Sequence, residues 1–198
     1  MRGCLGAPRR RGGFEGTGMA HVFEPAASGR SKCRACGQAL RRGELRFGER
    51  SANLFGEGDM TLWFHPRCAA YKRPQPFLQA LDAAALVIPE RGALEHIARA
   101  GAAHRRLPRI DGADRAPTGQ ARCRHCREPI ERASWRIRVV FHEEGRFFPG
   151  GFVHLTCRKP YFETSEVLER LLDLSPGLSA EERADLARAC SIASERGQ

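Results

Sequence analysis

The sequence contains no apolar run approaching the ~20 residues that a membrane-spanning helix needs. Residues 1–20 carry several arginines but no apolar central segment, so they lack the hydrophobic region of a secretory signal peptide. These two absences argue against a membrane partner and against secretion. We therefore expect a cytoplasmic, nucleoid-associated location, or a nuclear one if the source is eukaryotic.

Motifs for catalysis are missing as well. The chain has neither the phosphate-binding loop G-x4-G-K-[ST] nor a Rossmann fingerprint, and the stretch HEEGR at 142–146 ends in arginine where H-E-x-x-H requires histidine. Cys4 and Cys190 are single thiols outside any motif. The sequence therefore favours a binding protein over an enzyme.

Lysine is scarce, since only three of the 33 basic residues are lysine, yet the net charge is +10. This sign favours a polyanionic partner, most often nucleic acid. Arginine suits bidentate phosphate contacts, although a GC-rich genome would also encode arginine in place of lysine. The charge is +7 over residues 1–50, zero over 51–100, +5 over 101–150 and −2 over 151–198. This distribution predicts two basic modules separated by a neutral spacer.

Six of the eight cysteines form a tandem repeat in which a C-x2-C pair is followed, after 28 or 27 residues, by H-x2-C. Three sulfurs and one imidazole nitrogen fill the tetrahedral shell of a structural Zn²⁺ ion. Disulfides are the competing interpretation, but they leave the duplicated histidine unexplained and fit poorly with the missing signal peptide. The repeat predicts two structural zinc ions, bound by Cys33, Cys36, His65 and Cys68 and by Cys123, Cys126, His154 and Cys157. Because each unit has its own ligands, loss of one metal is expected to leave the other unit folded.

The surroundings of the two motifs repeat too. SGRSKCRAC at 28–36 corresponds to TGQARCRHC at 118–126, and WFH precedes the last cysteine of the first unit. Over residues 24–72 and 116–162 the chain resembles the DNA-break-sensing zinc fingers of poly(ADP-ribose) polymerases (PARPs). The resemblance implies a tandem of PARP-type fingers in a stand-alone, bacterial-looking form. It implies DNA binding without the helical regulatory and ADP-ribosyl transferase domains, and so without catalysis.

The resemblance also implies which cations contact DNA phosphates. It places contacts on Arg30 and Arg46, and on Arg136, which follows the second C-x2-C pair by ten residues as Arg46 follows the first. Gln120 stands where the first copy has Arg30, so neighbouring arginines are expected to compensate, with Arg122, Arg124 and Arg138 as candidates. The alternative for each arginine is a solvated surface role.

In the family, an apolar loop before the H-x2-C pair stacks on a base that a strand break exposes. The corresponding residues here are Phe55 or Met60 in the first copy and Phe147 or Phe148 in the second. The alternative is that these side chains fill the small core. Trp63 and Trp135 are expected in the core.

The expected fold class is α+β: two small zinc-stabilised PARP-type finger modules with connecting helices and a C-terminal helical hairpin. Strands are expected over 45–48, 61–65 and 135–141, and residues 135–141 alternate between a core face and a face that offers Arg136 and Arg138 to phosphates. Helices are expected over 76–87, 90–101 (ended by Gly101), 165–174 and 179–193, with Ser179 and Glu182 as a capping box.

These elements predict five regions. They are a disordered basic N-terminus at 1–18, a first finger at 19–75, a helical spacer and linker at 76–115, a second finger at 116–162 and a C-terminal hairpin at 163–198. The linker character is strongest over 106–120, which contains two prolines and two glycines. The hairpin is expected to pack on the second finger.

The sequence therefore predicts a monomer that binds DNA at nicks, gaps or ends without reading its sequence. DNA damage and repair is the expected context, with repair proteins as further partners. Two alternatives stay open, a zinc-stabilised adaptor for protein interactions and an RNA-binding tandem finger. Salt-dependent DNA affinity separates the first from DNA binding, and competition with structured RNA separates the second.

Overall fold

The structure, a computed structural model, describes residues 20–53 and 57–195. The predicted N-terminal segment 1–18 and the predicted stacking residue Phe55 lie outside these ranges. The strands are β1 (Val22–Pro25), β2 (Leu45–Ala52), β3 (Asp59–Phe64), β4 (Ile110–Arg115), β5 (Trp135–Glu143) and β6 (Arg146–His154). The helices are α1 (Pro66–Lys72), α2 (Pro74–Ala83), α3 (Arg91–Ala103), α4 (Arg158–Phe162), α5 (Leu168–Asp173) and α6 (Ala180–Glu195), with short 3-10 helices at Leu107–Arg109 and Leu155–Cys157.

The strands form two antiparallel three-stranded sheets with the same connectivity, β1-β2-β3 and β4-β5-β6. Each sheet is followed directly by a short helical segment that carries the last cysteine of its repeat. The α+β class with two small modules is thereby confirmed. None of the helices within the described ranges combines the length and apolar character needed to span a bilayer.

Aromatic side chains build the core of the first module. Phe47 and Phe64, on β2 and β3, are fully buried, and Phe77 on α2 lies 5.6 Å from Phe47 between ring centroids. Phe23 on β1 completes the cluster, 5.4 Å from Phe47 and 5.3 Å from Phe77. Complete burial of such a ring contributes about 1.5–3 kcal/mol. The helix that begins the spacer is therefore part of the first module's core.

The predicted two-faced character of β5 is wrong. Ile137 and Val139 are buried as expected, but Arg136 on the opposite face is buried too, and Arg138 is half-buried. Arg138 donates to the carbonyl oxygens of Ala113 at 3.2 Å and Asp111 at 2.7 Å on β4. Backbone and side chains of the two neighbouring strands, rather than solvent, cover the face that was expected to carry free cations.

The segment expected as a linker contains β4, the first strand of the second sheet. Asp114 pairs with Arg136 in the antiparallel register, so the module begins before residue 116. Gly112 has a φ of 99°, and a Cβ there would lie 2.4 Å from the Ser175 hydroxyl. This glycine therefore permits the close approach of β4 to the turn after α5.

Gly101 does not end its helix, because α3 continues to Ala103. The residue is buried, and an added Cβ would lie 3.3 Å from Pro74 at the start of α2. Its role is close packing between two spacer helices rather than termination.

The two modules and the spacer pack against one another. Lys72 at the end of α1 is buried, and its Nζ donates to the carbonyl oxygen of Ile110 at 2.6 Å and to Asp111 at 2.8 Å. The ring of Phe64 in the first module meets that of Phe147 in the second edge-on, with centroids 6.4 Å apart. The expectation that each module would fold independently of the other is therefore not supported by the packing.

The C-terminal helices contact both modules. Arg170 on α5 is buried and donates to the carbonyl oxygen of Tyr71 at 2.6 Å, while the Tyr71 hydroxyl donates to Asp173 at 2.6 Å. On α6, Asp185 accepts a hydrogen bond from the Trp135 indole at 2.7 Å. The hairpin thus packs on the second module as expected and also on the first.

The start of α6 shows the predicted capping box. The amide of Glu182 donates to the Ser179 hydroxyl at 3.2 Å, and the amide of Ser179 donates to the Glu182 carboxylate at 2.8 Å. Two amides that a helix start would otherwise leave unpaired are satisfied in this way.

Candidate zinc centres and nucleic-acid interface

The first candidate zinc centre assembles at one end of the β1-β2-β3 sheet. Cys33 and Cys36 lie in a turn between β1 and β2, His65 follows β3, and Cys68 lies in α1. One donor atom from each of the four side chains lies within 4.8 Å of all the others. Nδ1 of His65 is 3.4 Å from the Cys36 sulfur and 3.9 Å from the Cys68 sulfur.

The second centre repeats this geometry. Cys123, Cys126, His154 and Cys157 also place their donor atoms within 4.8 Å of one another. Nδ1 of His154 is 3.4 Å from the Cys126 sulfur and 3.9 Å from the Cys157 sulfur, the same two distances as in the first centre. The predicted ligand sets are confirmed as two Cys3His groups, each able to hold a zinc ion.

The donor atoms fit Zn²⁺ in number, type and outer contacts. A zinc–sulfur bond of about 2.3 Å in tetrahedral geometry requires sulfurs this close together, and a metal-ligating histidine commonly uses its second nitrogen on a carbonyl or carboxylate. Nε2 of His154 lies 3.1 Å from the carbonyl oxygen of Pro129, and Nε2 of His65 lies 3.7 Å from the Glu44 carboxylate. The backbone amide of His154 donates to the sulfur of Cys123 at 3.4 Å. All seven cysteines of the described ranges are free thiols, and no disulfide competes for them there.

The ligand side chains shift one another's pKa values, as expected for groups that point toward a common site. Hydrogen bonds from Cys36 and then Cys68 lower the pKa of the Cys33 thiol, and hydrogen bonds to Cys33 and Cys36 raise the pKa of His65 to about 10. In the second centre, burial is the largest cause that raises the pKa of Cys157, to about 12. Zinc binding requires thiolates and a neutral imidazole, so the metal would displace protons from this cluster.

The C-x2-C turns depend on left-handed backbone at equivalent positions. Gly37 has a φ of 73° and Arg127 a φ of 69°, and the amide of each donates to the carbonyl oxygen of the first cysteine, Cys33 or Cys123. Six residues later, Gly43 and Ala133 also occupy equivalent positions with positive φ, 80° and 63° respectively. The first module has glycine where this conformation is unstrained, whereas the second has residues with a side chain.

Arg46 and Arg136 occupy equivalent positions in the repeat, each ten residues after the second cysteine of its module. Arg46 donates to Glu24 at 2.6 Å and to the Ser31 hydroxyl at 3.1 Å, and its guanidinium lies 3.5 Å from the centroid of the Trp63 ring. The Nε atom of Arg46 is buried without a hydrogen-bond partner in the described chain.

Arg136 has an equivalent environment. It pairs with both carboxylate oxygens of Asp114, at 2.8 and 3.2 Å, and its guanidinium lies 3.5 Å from the Phe152 ring centroid. The exposed fraction of the side chain is 9% for Arg46 and 8% for Arg136. Each arginine thus lies between an acidic residue of the first strand and an aromatic ring of the third.

This burial removes the physical basis for treating Arg46 and Arg136 as free phosphate contacts. A buried ion pair that loses one partner leaves an uncompensated charge, so substitution would destabilise the module. The acidic partners Glu24 and Asp114 were not among the predicted site residues. Both precede the first cysteine of their module by nine residues, a correspondence that an alignment of the two copies would have revealed.

The other predicted phosphate contacts divide into two groups. Arg30, Arg122 and Arg124 are exposed on or beside the C-x2-C turns, and Arg122 makes one hydrogen bond to the carbonyl oxygen of Arg127 at 3.2 Å. Arg138 is bound to β4 and is not free to reach outward. The structure therefore leaves the turns, rather than the strands, as the exposed basic surface near the metals.

The predicted stacking residues also differ in their exposure to solvent. Met60 is half-buried and its side chain lies close to Gly145. A Cβ added at that glycine would be 3.4 Å from the Met60 side chain and 3.3 Å from that of Leu62. Phe147 is half-buried against Phe64 of the other module. Phe148 alternates to the opposite face of β6, and 44% of its surface is exposed. Among the described candidates Phe148 is the one that solvent reaches most. Trp135 is buried as expected, and Trp63 is half-buried beneath Arg46.

No family model matches the chain. Among curated proteins, it is similar to a poly [ADP-ribose] polymerase of Sarcophaga peregrina, with 25% identity over 205 aligned positions that cover 88% of this chain and 20% of that protein. The chain thus spans about a fifth of the relative's length. This similarity and the two Cys3His groups together fit PARP-type zinc fingers.

Proposed function

We propose that the chain is a zinc-dependent, non-catalytic protein that binds DNA at strand breaks without reading base sequence. The observation that carries this proposal is the duplicated Cys3His centre in a chain similar to a poly [ADP-ribose] polymerase. Four protein ligands complete each zinc shell, which supports a structural rather than a catalytic metal. Proteins of DNA repair are the partners proposed beyond DNA itself.

Cations around the zinc turns support DNA binding. Five exposed basic residues surround the first turn: Arg30, Lys32, Arg34, Arg41 and Arg42. None of their side chains makes a hydrogen bond or ion pair within the described chain. Near the second turn, Arg122, Arg124, Arg127 and Arg132 are likewise exposed. Cations held on a short zinc-bound turn can contact phosphates of any sequence, and their contribution to affinity falls as salt rises.

The exposed ring of Phe148 supports preference for breaks. Intact duplex stacks every base on its neighbours, whereas a nick, gap or end offers a base face. An aromatic side chain that stacks there gains about 1–3 kcal/mol. Phe148 lies on β6, which ends at His154 of the second centre, so a zinc ion bound there would anchor the strand that carries this ring.

Binding to matched circular DNA tests the proposal. An intact circle, a singly nicked circle, a gapped circle and a blunt linear duplex would be titrated at several salt concentrations. We expect tighter binding to the three broken forms and a linear decrease of log affinity with log salt. Absence of salt-dependent binding would indicate a protein-interaction adaptor instead. Preferential competition by structured RNA would indicate an RNA-binding tandem.

A further inference from the structure

A basic cleft lies between the spacer and the second sheet. Its volume is about 380 Å³, and its walls come from the start of α2, the end of α3, the 3-10 helix that follows and the end of β5. The lining includes Lys72 and Arg73 on one side, Arg105 and Arg109 on another, and Phe141 on the sheet. Arg105 and Arg109 belong to the predicted spacer and lie outside both zinc motifs.

The cations of the cleft differ in what neutralises them. Lys72 pairs with Asp111 at 2.8 Å, and Arg73 pairs with Glu49, so both are compensated within the fold. The side chain of Arg105 has no hydrogen bond or ion pair within the described chain. Arg109 makes no ion pair there either, and its guanidinium lies 4.8 Å from the centroid of the Phe141 ring.

Phe141 connects this cleft to the second zinc turn. The guanidinium of Arg124, which lies between Cys123 and Cys126, is 5.4 Å from the centroid of the same ring. Arg109 and Arg124 therefore come from separate segments but lie around one aromatic side chain. Contact with a ring restricts a guanidinium and leaves its N–H groups free to donate.

We propose that Arg105 and Arg109 form a phosphate-binding site with Arg124, and that it extends the DNA-contacting surface from the second zinc turn into the spacer. The inference rests on the proposed DNA-binding function and assigns contacts that the zinc motifs do not contain. Two guanidinium groups already occupy the surroundings of the Phe141 ring, so the site offers donors to phosphate rather than a platform for a base. Its continuity with the exposed Arg124 favours a polymer backbone over a small anion.

Glu143 is the feature of the cleft that opposes an anion. It is exposed on the rim, at the end of β5. A carboxylate there should repel a phosphate, and its removal should strengthen binding if the cleft contacts DNA. The cleft therefore provides substitutions with opposite expected signs.

Binding of nicked duplex by four variants tests the site: Arg105→Gln, Arg109→Gln, Glu143→Gln and, as the matched control, Arg99→Gln. Arg99 is an exposed spacer arginine on α3 that pairs with Glu95. We expect each cleft arginine variant to bind about fivefold more weakly at ~0.1 M salt and to lower the salt slope by roughly one unit. Glu143→Gln should bind more tightly, and the control should match the unmodified chain. Unchanged melting temperatures would show that the fold is intact.

The possible failures are distinguishable. If the unmodified chain binds nicked DNA and both cleft variants behave like Arg99→Gln, the cleft assignment is wrong and the proposed function stands. If the unmodified chain binds no DNA, both fail. Inorganic phosphate and AMP serve as competitors at constant ionic strength. Displacement of DNA by either one at micromolar concentration would overturn the backbone assignment in favour of a small-anion site.

Discussion

Adjacent phenylalanines on β6 allow base stacking to be separated from folding, because they face opposite sides of the strand. Phe147 meets Phe64 edge-on at 6.4 Å, and the Nζ atom of Lys72 lies 5.3 Å from its ring centroid. Truncation of a fully buried phenylalanine costs about 3–5 kcal/mol. Since Phe147 is half-buried, Phe147→Ala should destabilise the protein by roughly 2 kcal/mol and weaken binding to nicked and intact circles together.

Phe148→Ala should have the opposite pattern. Phe148 is 44% exposed, so the stability change should be small, within about 0.5 kcal/mol of the starting protein. Loss of a stacked base at about 1–3 kcal/mol corresponds to roughly a 10–100-fold loss of affinity for nicked DNA. Affinity for an intact circle, which depends on phosphates, should stay the same.

Thermal melting and competition between nicked and intact circles measure both quantities for both variants. Equal losses of affinity on the two circles for Phe148→Ala, with a lowered melting temperature, would place this ring in the core. A selective loss at nicks for Phe147→Ala, with unchanged stability, would show that the assignment of the two rings is reversed.

Three further predictions concern the metals, the turns and a half-buried histidine. Metal analysis should find two zinc ions in the chain, and the Cys36→Ser variant should retain only one. Because the modules share a packed interface, this variant should also show faster amide hydrogen exchange in the second module. Unchanged exchange in that module would contradict the prediction. Ala133→Gly should raise the free energy of unfolding by about 0.5–1 kcal/mol in denaturant titration, since relief of left-handed strain exceeds the added entropy of the unfolded chain, and Gly43→Ala should lower it similarly. Burial lowers the pKa of His142, so the unfolded chain binds this proton more readily and stability should decrease as the pH falls from about 6.5 through the lower folded pKa. His142→Gln should reduce that decrease between pH 7 and pH 5, and an unchanged decrease in this variant would contradict the assignment.

The zinc centres were predictable because ligand spacing is a local constraint. A C-x2-C turn and an H-x2-C pair require only short-range geometry, and both copies show it in the sequence. The capping box of α6 was predictable for the same reason, since its partners Ser179 and Glu182 are three residues apart.

The errors concern contacts between segments distant in sequence. Asp114 lies in a stretch rich in glycine and proline, which by composition favours a linker, but its pairing with Arg136 makes that stretch a strand. Burial of Arg136 depends on this strand and on Phe152 of the third one, so alternation within β5 could not reveal it. Repeat equivalence of Arg46 and Arg136 indicated a shared role but not which one, because structural ion pairs and phosphate contacts both use arginine.

If the protein prefers broken DNA as proposed, packing between the modules would be a second physical source of that preference besides stacking. Lys72 and Phe147 join the two modules, so their exposed cations are held at fixed relative positions. Intact duplex is stiff, with a persistence length of about 150 bp, and a bend of 40–90° over a binding site costs on the order of 1–6 kcal/mol. A nick removes most of that stiffness at one step. The backbone can then reach cations on both modules without the bending penalty.

The Phe148→Ala variant separates these two sources. If fixed cations on stiff DNA contribute, this variant should keep a residual preference for nicked over intact circles. That remaining preference should decrease as salt weakens the phosphate contacts. Stacking alone predicts that the preference disappears with the ring and that salt lowers both affinities in parallel. Measurement of the nicked-to-intact affinity ratio for Phe148→Ala at two salt concentrations therefore decides between them.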